Sequence, residues 1–204
     1  MALVLYECPP TRSTRDRWVL QELGVPFEAV VVNLAAGEHR SPAFLGINPA
    51  GKLPTLVDDG HVVTESAAIA FYLGDKYPEK GFLPQEVASR AQVLRWLFFT
   101  VTELEQPLWR MAKHRRIYPE ALRLPAEIEL AKQDFAASAV VLDLHMRQHE
   151  FVAADRITIA DFVLAYTLDW ANEASLLAEF PTLVGYMERM YARPRAPSRI
   201  RASR

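Results

Sequence analysis

The pattern of apolar residues changes near residue 84, and this change restricts the fold more than any other feature of the sequence. Residues 1–80 alternate between short apolar runs, which are typical of strands, and segments with helical periodicity. After Pro84 no run reads convincingly as a strand, and long amphipathic stretches predict helices only. We therefore predict an α/β layer followed by an all-α domain.

The first 80 residues begin with a predicted βαβ unit. Its strand, helix and strand cover residues 2–6, 13–24 and 27–32. Further along, two short strands joined at Asp59-Gly60 form a predicted hairpin, because Asp-Gly is a strong two-residue turn signal. One more helix follows over residues 64–77.

The composition of residues 78–84 is that of a linker between two domains. We expect an N-terminal domain over residues 1–78, a linker over 79–86 and a helical domain over 87–204. The predicted helices of the second domain cover residues 87–116, 124–148, 158–173 and 181–192.

The segment Ile157–Phe162 predicts a folding device in the helical domain. Thr158 is placed as an N-cap, and Asp161 three residues later is placed as its capping-box partner. Ile157 and Phe162 flank them as a hydrophobic staple. We interpret Asp161 as structural and not catalytic.

Charge and composition exclude several classes of protein. The net charge of -2 at pH 7 gives no reason to expect nucleic acid as a partner, since such proteins usually carry a strong basic excess. Basic residues concentrate at residues 193–204, which we interpret as a solvated end.

The single cysteine, Cys8, excludes an intrachain disulfide and a multi-cysteine zinc site, so no metal is expected. That cysteine usage fits a reducing compartment, and no stretch approaches the roughly 18 apolar residues of a membrane span, so we expect a cytoplasmic protein without a membrane partner.

Hydroxyl and guanidinium groups crowd the turn between the first strand and the first helix. Such a turn presents backbone N–H groups and the positive end of the helix dipole, which both favour an anion. Thr11, Ser13 and Thr14 also fit simple helix capping. The arginines at positions 12, 15 and 17 fit a solvated or paired helix surface, and this turn taken alone favours capping.

Pro54 stands just before a predicted strand, in the segment NPAGKLPTL over residues 48–56. Proline cannot donate to a strand ladder, so it belongs at the first strand position or in a turn. A cis Leu53–Pro54 bond would turn the Leu53 backbone outward, free to pair with an extended peptide ligand. A trans bond at the start of a strand fits this stretch equally well.

The segment VVTESAAI over residues 62–69 predicts a helix start with Thr64 as N-cap. Glu65 and Ser66 then lie in the first turn, where a ligand carboxylate would gain from the helix dipole. The two side chains suit an amino-acid headgroup, the acid for its ammonium and the hydroxyl for its carboxylate. The dipole alone also accounts for Glu65.

Taken together, these segments resemble the cytosolic glutathione transferase family over nearly the whole chain. The likeness lies in the order and spacing of three blocks. They are LY..P.TRSTR..W.L.ELGVPFE over residues 5–28, GEHRSPAFLGINPAGKLPTLVDDGHVVTESAAIAFYL over 37–73, and ITIADF over 157–162. The resemblance implies a thioredoxin-like N-terminal domain, a helical C-terminal domain, a homodimer, and glutathione as cosubstrate.

The resemblance also implies roles for individual residues. Leu53, before a cis Pro54, would hold the cysteinyl part of glutathione through its backbone. Glu65 and Ser66 would hold the γ-glutamyl end. The remaining residues assigned to glutathione by this likeness are Arg12, His39 and Lys52, of which the last two match positions that approach the glycine carboxylate in related classes.

The resemblance leaves the catalytic position open between Thr11 and Ser13. In serine-type members the hydroxyl stands four residues before an arginine, which here selects Thr11 ahead of Arg15. Other classes shift the working residue by one or two places, which selects Arg12 or Ser13. Cys8 lies too early for the cysteine-type classes.

We expect the helical domain to supply the wall that binds a small electrophile. The residues predicted for this wall are Trp109, Arg110, Lys113 and His114, with core packing an equal alternative for Trp109. The expected activity is glutathione transfer. The alternatives are a glutathione-dependent isomerase, peroxidase or dehalogenase, and a non-catalytic protein-binding module of the same fold.

Overall fold

The computed structural model describes residues 3–200, which form two compact units. One unit runs to Leu83 and takes in Pro194–Pro197, and the other begins at Pro84 and continues to Arg193. Among residues 3–200 no helix combines the length and the apolar character that crossing a bilayer requires.

The first unit is a thioredoxin-like sheet with helices. Its elements are β1 (Leu3–Glu7), α1 (Ser13–Leu23), β2 (Glu28–Val31), α2 (Pro42–Ile47), β3 (Thr55–Asp58), β4 (His61–Thr64) and α3 (Ser66–Lys76), with single 3₁₀ turns at Glu38–Arg40 and Pro78–Lys80. The strand order is β2-β1-β3-β4, with β1 and β2 parallel and the other two pairs antiparallel. The predicted βαβ unit and hairpin are therefore confirmed, except that Ala2 of the first predicted strand lies outside the described residues.

The core of this unit explains the positions of its helices. Apolar residues of β1 and β3, such as Leu5 and Leu56, are fully buried, and so are Trp18 of α1 and Leu73 of α3. Helices α1 and α3 contact one another. Helix α1 ends at Gly24, which has φ +68°. The Gly24 N–H donates to the Leu20 and Gln21 carbonyls, so these carbonyls of the last turn have a hydrogen-bond partner.

The second unit is all-helical among its described residues. Its helices are α4 (Val87–Phe99), α5 (Glu105–Ala112), α6 (Pro125–Met146), α7 (Ile159–Glu173) and α8 (Pro181–Tyr191), with a 3₁₀ turn at Glu120–Leu122. The single helix predicted over 87–116 is wrong in detail. It is interrupted by π turns at Thr100–Leu104 and Lys113–Ile117, which the apolar period alone does not reveal.

Helix α7 forms the centre of the second unit, and the predicted capping box is present at its start. Asp161 accepts the Thr158 N–H at 2.7 Å and the Val152 N–H at 2.9 Å, and the Tyr186 hydroxyl donates to it at 2.8 Å. Burial raises the pKa of Asp161, and these hydrogen bonds oppose that rise. The carboxylate thus joins three chain segments, which confirms its structural role.

Residues 193–200 of the basic C-terminal segment form specific contacts, so the interpretation as a solvated end is wrong for these residues. Arg195 donates to the Gln21 and Glu22 carbonyls at 2.9 and 3.1 Å, at the carboxyl end of α1. Arg199 forms an ion pair with Asp169, which is 1% exposed. Residues 201–204 of this predicted tail lie outside the described part of the chain.

Candidate functional site

Strand register brings the three predicted segments to one edge of the sheet. Tyr6 near the end of β1 pairs with Thr55 at the start of β3, and Thr55 also pairs with Thr64 at the end of β4. The turn after β1, the segment before β3 and the start of α3 therefore leave the sheet at the same edge. Two helix N-termini, of α1 and α3, begin there and make it favourable for anions.

The turn after β1 holds two hydroxyl groups in contact. Thr11 Oγ1 and Ser13 Oγ are 3.0 Å apart, and Ser13 Oγ also accepts the Cys8 N–H at 3.0 Å. Ser13 is fully buried, whereas Thr11 is half-buried. Ser13 is therefore closed to solvent, whereas part of Thr11 is exposed.

Helix capping explains little of this turn. The N-cap of α1 is Arg12, in helical conformation and without a side-chain cap hydrogen bond. Thr11 Oγ1 accepts the Ser13 N–H only at 3.4 Å, and the Thr14 hydroxyl is buried without a hydrogen-bond partner among the described residues. The interpretation of these hydroxyls as helix caps is therefore wrong, because α1 begins from a turn that is already helical.

The segment before β3 is held by an asparagine that the sequence did not single out. Asn48 donates through Nδ2 to the Lys52 carbonyl at 2.9 Å and to Thr55 Oγ1 at 3.0 Å. The Leu53–Pro54 peptide bond is cis, which decides between the two predicted forms. Asn48 is buried, and the only sequence signal for it was its place before the Pro-Ala-Gly turn.

His39 and Lys52 come from two loops that touch through a glycine. Gly51 has φ +59°, and a Cβ added there would lie 2.8 Å from the His39 carbonyl oxygen. The two loops can approach this closely only because position 51 has no side chain. The two residues therefore lie on neighbouring loops. His39 is half-buried and Lys52 is exposed.

Helix α3 begins at Ser66, one residue later than Thr64 as N-cap would require, so that prediction is wrong. Thr64 is the last residue of β4, and the N-cap is Glu65. Glu65 has φ +68°, a conformation that residues other than glycine rarely adopt, and its side chain is exposed. Ser66 is buried, and its Oγ accepts a hydrogen bond from Arg15 Nη1 at 3.2 Å.

Two charged residues of α1 are buried, one of them Arg15, for which the sequence predicted a solvated or paired surface. Arg15 is fully buried, and its guanidinium links α1 to α3 through Ser66. Asp16 is also fully buried, and neither of its carboxylate oxygens has a hydrogen-bond partner among residues 3–200. Burial raises the pKa of Asp16 well above its ordinary range, and the nearby Arg15 charge opposes this rise.

In the second unit, the four predicted electrophile-binding residues differ in their contacts. Arg110 pairs with Asp134 of α6 and with Glu127 at 3.5 Å. His114 Nδ1 accepts the Leu124 N–H at 3.1 Å, just before α6, and the Lys113 ammonium lies 5.7 Å from the Tyr118 ring centre. Trp109 is 38% exposed. Arg110 and His114 thus contribute to packing within this unit.

The described residues contain no group of three or more His, Cys, Asp or Glu side chains placed to hold a metal ion. The sheet edge itself offers the Thr11 and Ser13 hydroxyls, the backbone N–H groups of two helix N-termini and the exposed Glu65 carboxylate.

Two family descriptions match the chain. "Glutathione S-transferase, N-terminal domain" matches residues 1–75, and "Glutathione S-transferase, C-terminal domain" matches residues 110–194. The first match spans all three segments that meet at the sheet edge, and the second spans α6 to α8.

Individual relatives cover most of the chain. Glutathione S-transferase F10 of Arabidopsis thaliana is 34% identical over 166 residues, which are 79% of this chain and 77% of that protein. Glutathione S-transferase GST-4.5 of Xanthomonas campestris pv. campestris is 32% identical over 190 residues and 92% of either chain. A glutathione transferase family member from Pseudomonas fluorescens, solved with two glutathione bound, superposes with a TM-score of 0.85 at 25% identity over 95% of this chain and 90% of that one.

Proposed function

Because the chain belongs to the glutathione S-transferase family, we propose that it is an enzyme that binds glutathione at this sheet edge and transfers it to a small electrophile. The observation that supports this best is the convergence of Thr11, Leu53 and Ser66 at one edge of the β1–β3–β4 sheet. These residues come from segments far apart in the chain. A glutathione-bound relative of similar fold agrees with this ligand.

In this proposal, different residues at the sheet edge contact different parts of the glutathione tripeptide. The Leu53 backbone pairs with the cysteinyl part, next to the cis Pro54. The exposed Glu65 carboxylate meets the ligand ammonium, and Ser66 with the N-terminus of α3 meets the γ-glutamyl carboxylate. The polar side chains left for the rest of glutathione are Arg12, His39 and Lys52.

We assign the thiolate contact to Thr11 and a positioning role to Ser13. Ser13 is fully buried and its Oγ already accepts the Cys8 N–H, and we assign its own proton to the hydrogen bond with Thr11 Oγ1, 3.0 Å away. A hydroxyl carries one proton and two acceptor lone pairs, so Thr11 keeps its proton for the sulfur. The half-buried position of Thr11 suits contact with a ligand.

The energy available from this arrangement matches what the chemistry requires. Lowering a thiol pKa from about 8.5 by two units needs about 2.7 kcal/mol. A hydrogen bond to a charged acceptor supplies roughly 1.5 to 3 kcal/mol, and the helix N-terminus adds roughly 0.3 to 1. The thiol proton goes to solvent, the sulfur electron pair forms the new S–C bond, and the leaving group departs with its own electron pair.

The proposal extends to a homodimer in the cytoplasm. Helix α6 exposes a row of large apolar side chains, which suits a buried interface between two copies better than contact with water. They are Leu130, Val140, Val141 and Leu144, each about half exposed. The single cysteine supports the reducing compartment.

Trp109 and Lys113 remain proposed contacts of the electrophile, together with Arg110 and His114.

The test combines calorimetry with the ultraviolet absorbance of bound thiolate as a function of pH. We expect the wild type to bind glutathione and to lower its thiol pKa by one to two units, on the order of the energies above. Thr11→Val should return the thiol pKa toward that of free glutathione, because it removes the hydroxyl and keeps the shape. Thr11→Ser is the matched control and should keep the low pKa.

Three outcomes would contradict this proposal or its assignment of residues. If glutathione does not bind, the transferase function fails as a whole. If glutathione binds with an unshifted thiol in the wild type and in every variant, the chain is a binding module and not an enzyme. If Ser13→Ala alone abolishes the shift, the roles of Thr11 and Ser13 are reversed.

A further inference from the structure

Two side chains hold one carbonyl oxygen in the loop between α2 and β3. Asn48 Nδ2 and Thr55 Oγ1 both donate to the Lys52 carbonyl, at 2.9 and 3.2 Å. Asn48 Nδ2 also donates to Thr55 Oγ1 at 3.0 Å, which closes a triangle of hydrogen bonds. Asn48 is 4% exposed and Thr55 is 0% exposed. The Lys52 carbonyl therefore points into the protein, although Lys52 as a whole is exposed.

Both donors are fixed by regular secondary structure. Asn48 follows α2, and its N–H donates to the Phe44 carbonyl at 2.9 Å. Its side-chain oxygen accepts the Ala50 N–H at 3.1 Å, so the whole amide group of Asn48 is in use. Thr55 begins β3 and pairs with β1 on one side and with β4 on the other. The Lys52 carbonyl is thus held from a helix end and from the sheet at once.

The position of this carbonyl sets the direction of the next N–H group. The Lys52–Leu53 peptide bond is planar and trans, so its C=O and its N–H point in opposite directions. Because the Lys52 carbonyl points inward, the Leu53 N–H points away from the interior. Among the described residues neither the N–H nor the carbonyl of the half-buried Leu53 has a hydrogen-bond partner. Such backbone groups are suited to take their partners from a ligand.

We infer that Asn48 and Thr55 are positioning residues for glutathione. They hold the Lys52–Leu53 peptide plane so that the Leu53 N–H donates to the cysteinyl carbonyl oxygen of the ligand. Their side chains face the interior, so they act through the Leu53 backbone and do not touch the ligand. A peptide plane that is already oriented loses little freedom on binding, which raises the affinity. The identity of the ligand rests on the proposed function, whereas the orientation of the Leu53 N–H does not.

The first measurement is amide hydrogen exchange by NMR on the full chain without glutathione. We expect the Leu53 N–H to exchange at nearly the rate of an unprotected amide, because it has no partner in the protein. The Asn48 Nδ2 protons should exchange slowly. The Thr55→Val variant should speed their exchange, because it removes one of their two acceptors and keeps the shape of the side chain.

The second measurement is glutathione binding by calorimetry. We expect Thr55→Val to bind roughly threefold more weakly than wild type, and Asn48→Ala/Thr55→Val, which removes both donors, roughly tenfold more weakly. Thr55→Ser keeps the hydroxyl and should bind within about twofold of wild type. If the double variant does not fold, the comparison of Thr55→Val with Thr55→Ser still tests the inference.

Two further readouts separate positioning from a general loss of stability. The KM for glutathione should rise in Thr55→Val in parallel with the dissociation constant, while kcat stays within about twofold, because the lost contact serves binding and not the thiol chemistry. The thiol pKa of bound glutathione should stay as in wild type, since the Thr11 hydroxyl is unchanged. At saturating glutathione the Leu53 N–H should be protected in wild type and Thr55→Ser, and less so in Thr55→Val.

Thr167→Val is the matched control. Thr167 is also fully buried, and its hydroxyl donates to the Val163 carbonyl at 2.9 Å within α7. The substitution removes the same chemical group in the second unit. It should lower the melting temperature about as Thr55→Val does and leave glutathione affinity and Leu53 exchange unchanged.

Three results would overturn the inference. The first is slow exchange of the Leu53 N–H in the ligand-free wild type, since that group would then be bonded within the protein. The second is wild-type glutathione affinity in Thr55→Val. The third is an equal loss of affinity in Thr55→Val and Thr167→Val, which would mean that lower stability alone is the cause. A wild type that does not bind glutathione overturns the proposed function and the ligand named here, while the ligand-free exchange rates still decide the orientation of the Leu53 N–H.

Discussion

Arg15 and Ser66, 51 residues apart in the chain, are joined by a hydrogen bond of 3.2 Å between Nη1 and Oγ. Each residue lies in the first turn of its helix, Arg15 in α1 and Ser66 in α3. The contact therefore fixes two helix N-termini against one another at the edge where glutathione is proposed to bind. A buried guanidinium at this point also adds positive charge to a site for an anionic ligand.

Replacing Ser66 with alanine should weaken glutathione binding about tenfold, because a hydrogen bond to a charged group is worth roughly 1.5 to 3 kcal/mol and part of it is replaced by water. Calorimetry on the variant measures this directly. Ser138→Ala on α6, far from the site in the chain, is the matched control and should bind as wild type does. A Ser66→Ala protein with lower stability and unchanged affinity would show that this hydroxyl serves folding alone.

Asp16 should make the protein less stable as the pH rises from about 4. Its pKa is raised in the folded state, chiefly by burial, so the folded state holds a proton that the unfolded chain has lost. Stability is then lost from the unfolded pKa of about 3.9 upward, by about 1.4 kcal/mol for each pH unit until the folded pKa is reached.

The Asp16→Asn variant should remove this slope. The measurement is urea unfolding between pH 4 and pH 8. As the pH rises through this range, the free energy of unfolding of the variant should increase relative to that of the wild type. Parallel curves for the two proteins would mean that Asp16 titrates alike in both states and that the carboxyl is solvated.

Gly51→Ala should destabilise the fold more than Gly60→Ala does. Both positions have positive φ, which costs an L-residue roughly 1 to 2 kcal/mol. Only at Gly51 would the added Cβ also meet backbone, 2.8 Å from the His39 carbonyl oxygen, whereas Gly60 has open space. We expect a further loss of about 1 kcal/mol or more at Gly51, measured by urea unfolding.

Gly51→Ala should also weaken binding at the proposed glutathione site. A shift between the loops of His39 and Lys52 moves two proposed glutathione contacts, so affinity for glutathione should fall with Gly51→Ala and stay unchanged with Gly60→Ala. Equal stability losses in the two variants would show that the loops can separate without cost.

Arg199→Ala should cost about 1 to 3 kcal/mol of stability, because it leaves the buried carboxylate of Asp169 with one partner fewer. The Ile200 N–H at 2.7 Å remains and moderates the loss. Lys132→Ala removes an exposed pair with Glu129 and should change stability by less than about 0.5 kcal/mol. Thermal unfolding of both variants measures the two changes in stability. Equal small losses of stability would contradict the prediction, because they would mean that water replaces Arg199 as a partner of Asp169.

Local sequence signals were sufficient for much of the fold. The Asp59-Gly60 turn, the end of α1 at Gly24 and the Thr158–Asp161 capping box depend on residues a few positions apart, and each was predicted where it lies. The π turn Lys113–Ile117 was missed, because one inserted residue changes the backbone and leaves the apolar period almost intact.

The sequence by itself determined the two-part architecture, the family and the segments that carry the candidate site, since these follow from periodicity, turn residues and a specific order of motifs. Only the tertiary structure decided which members of those segments meet. Burial of Arg15 and Asp16, the different burial of Thr11 and Ser13, and the cis form of Leu53–Pro54 depend on contacts between residues distant in the chain. Solvent exclusion and hydrogen-bond partners are set by packing, and no local pattern specifies them.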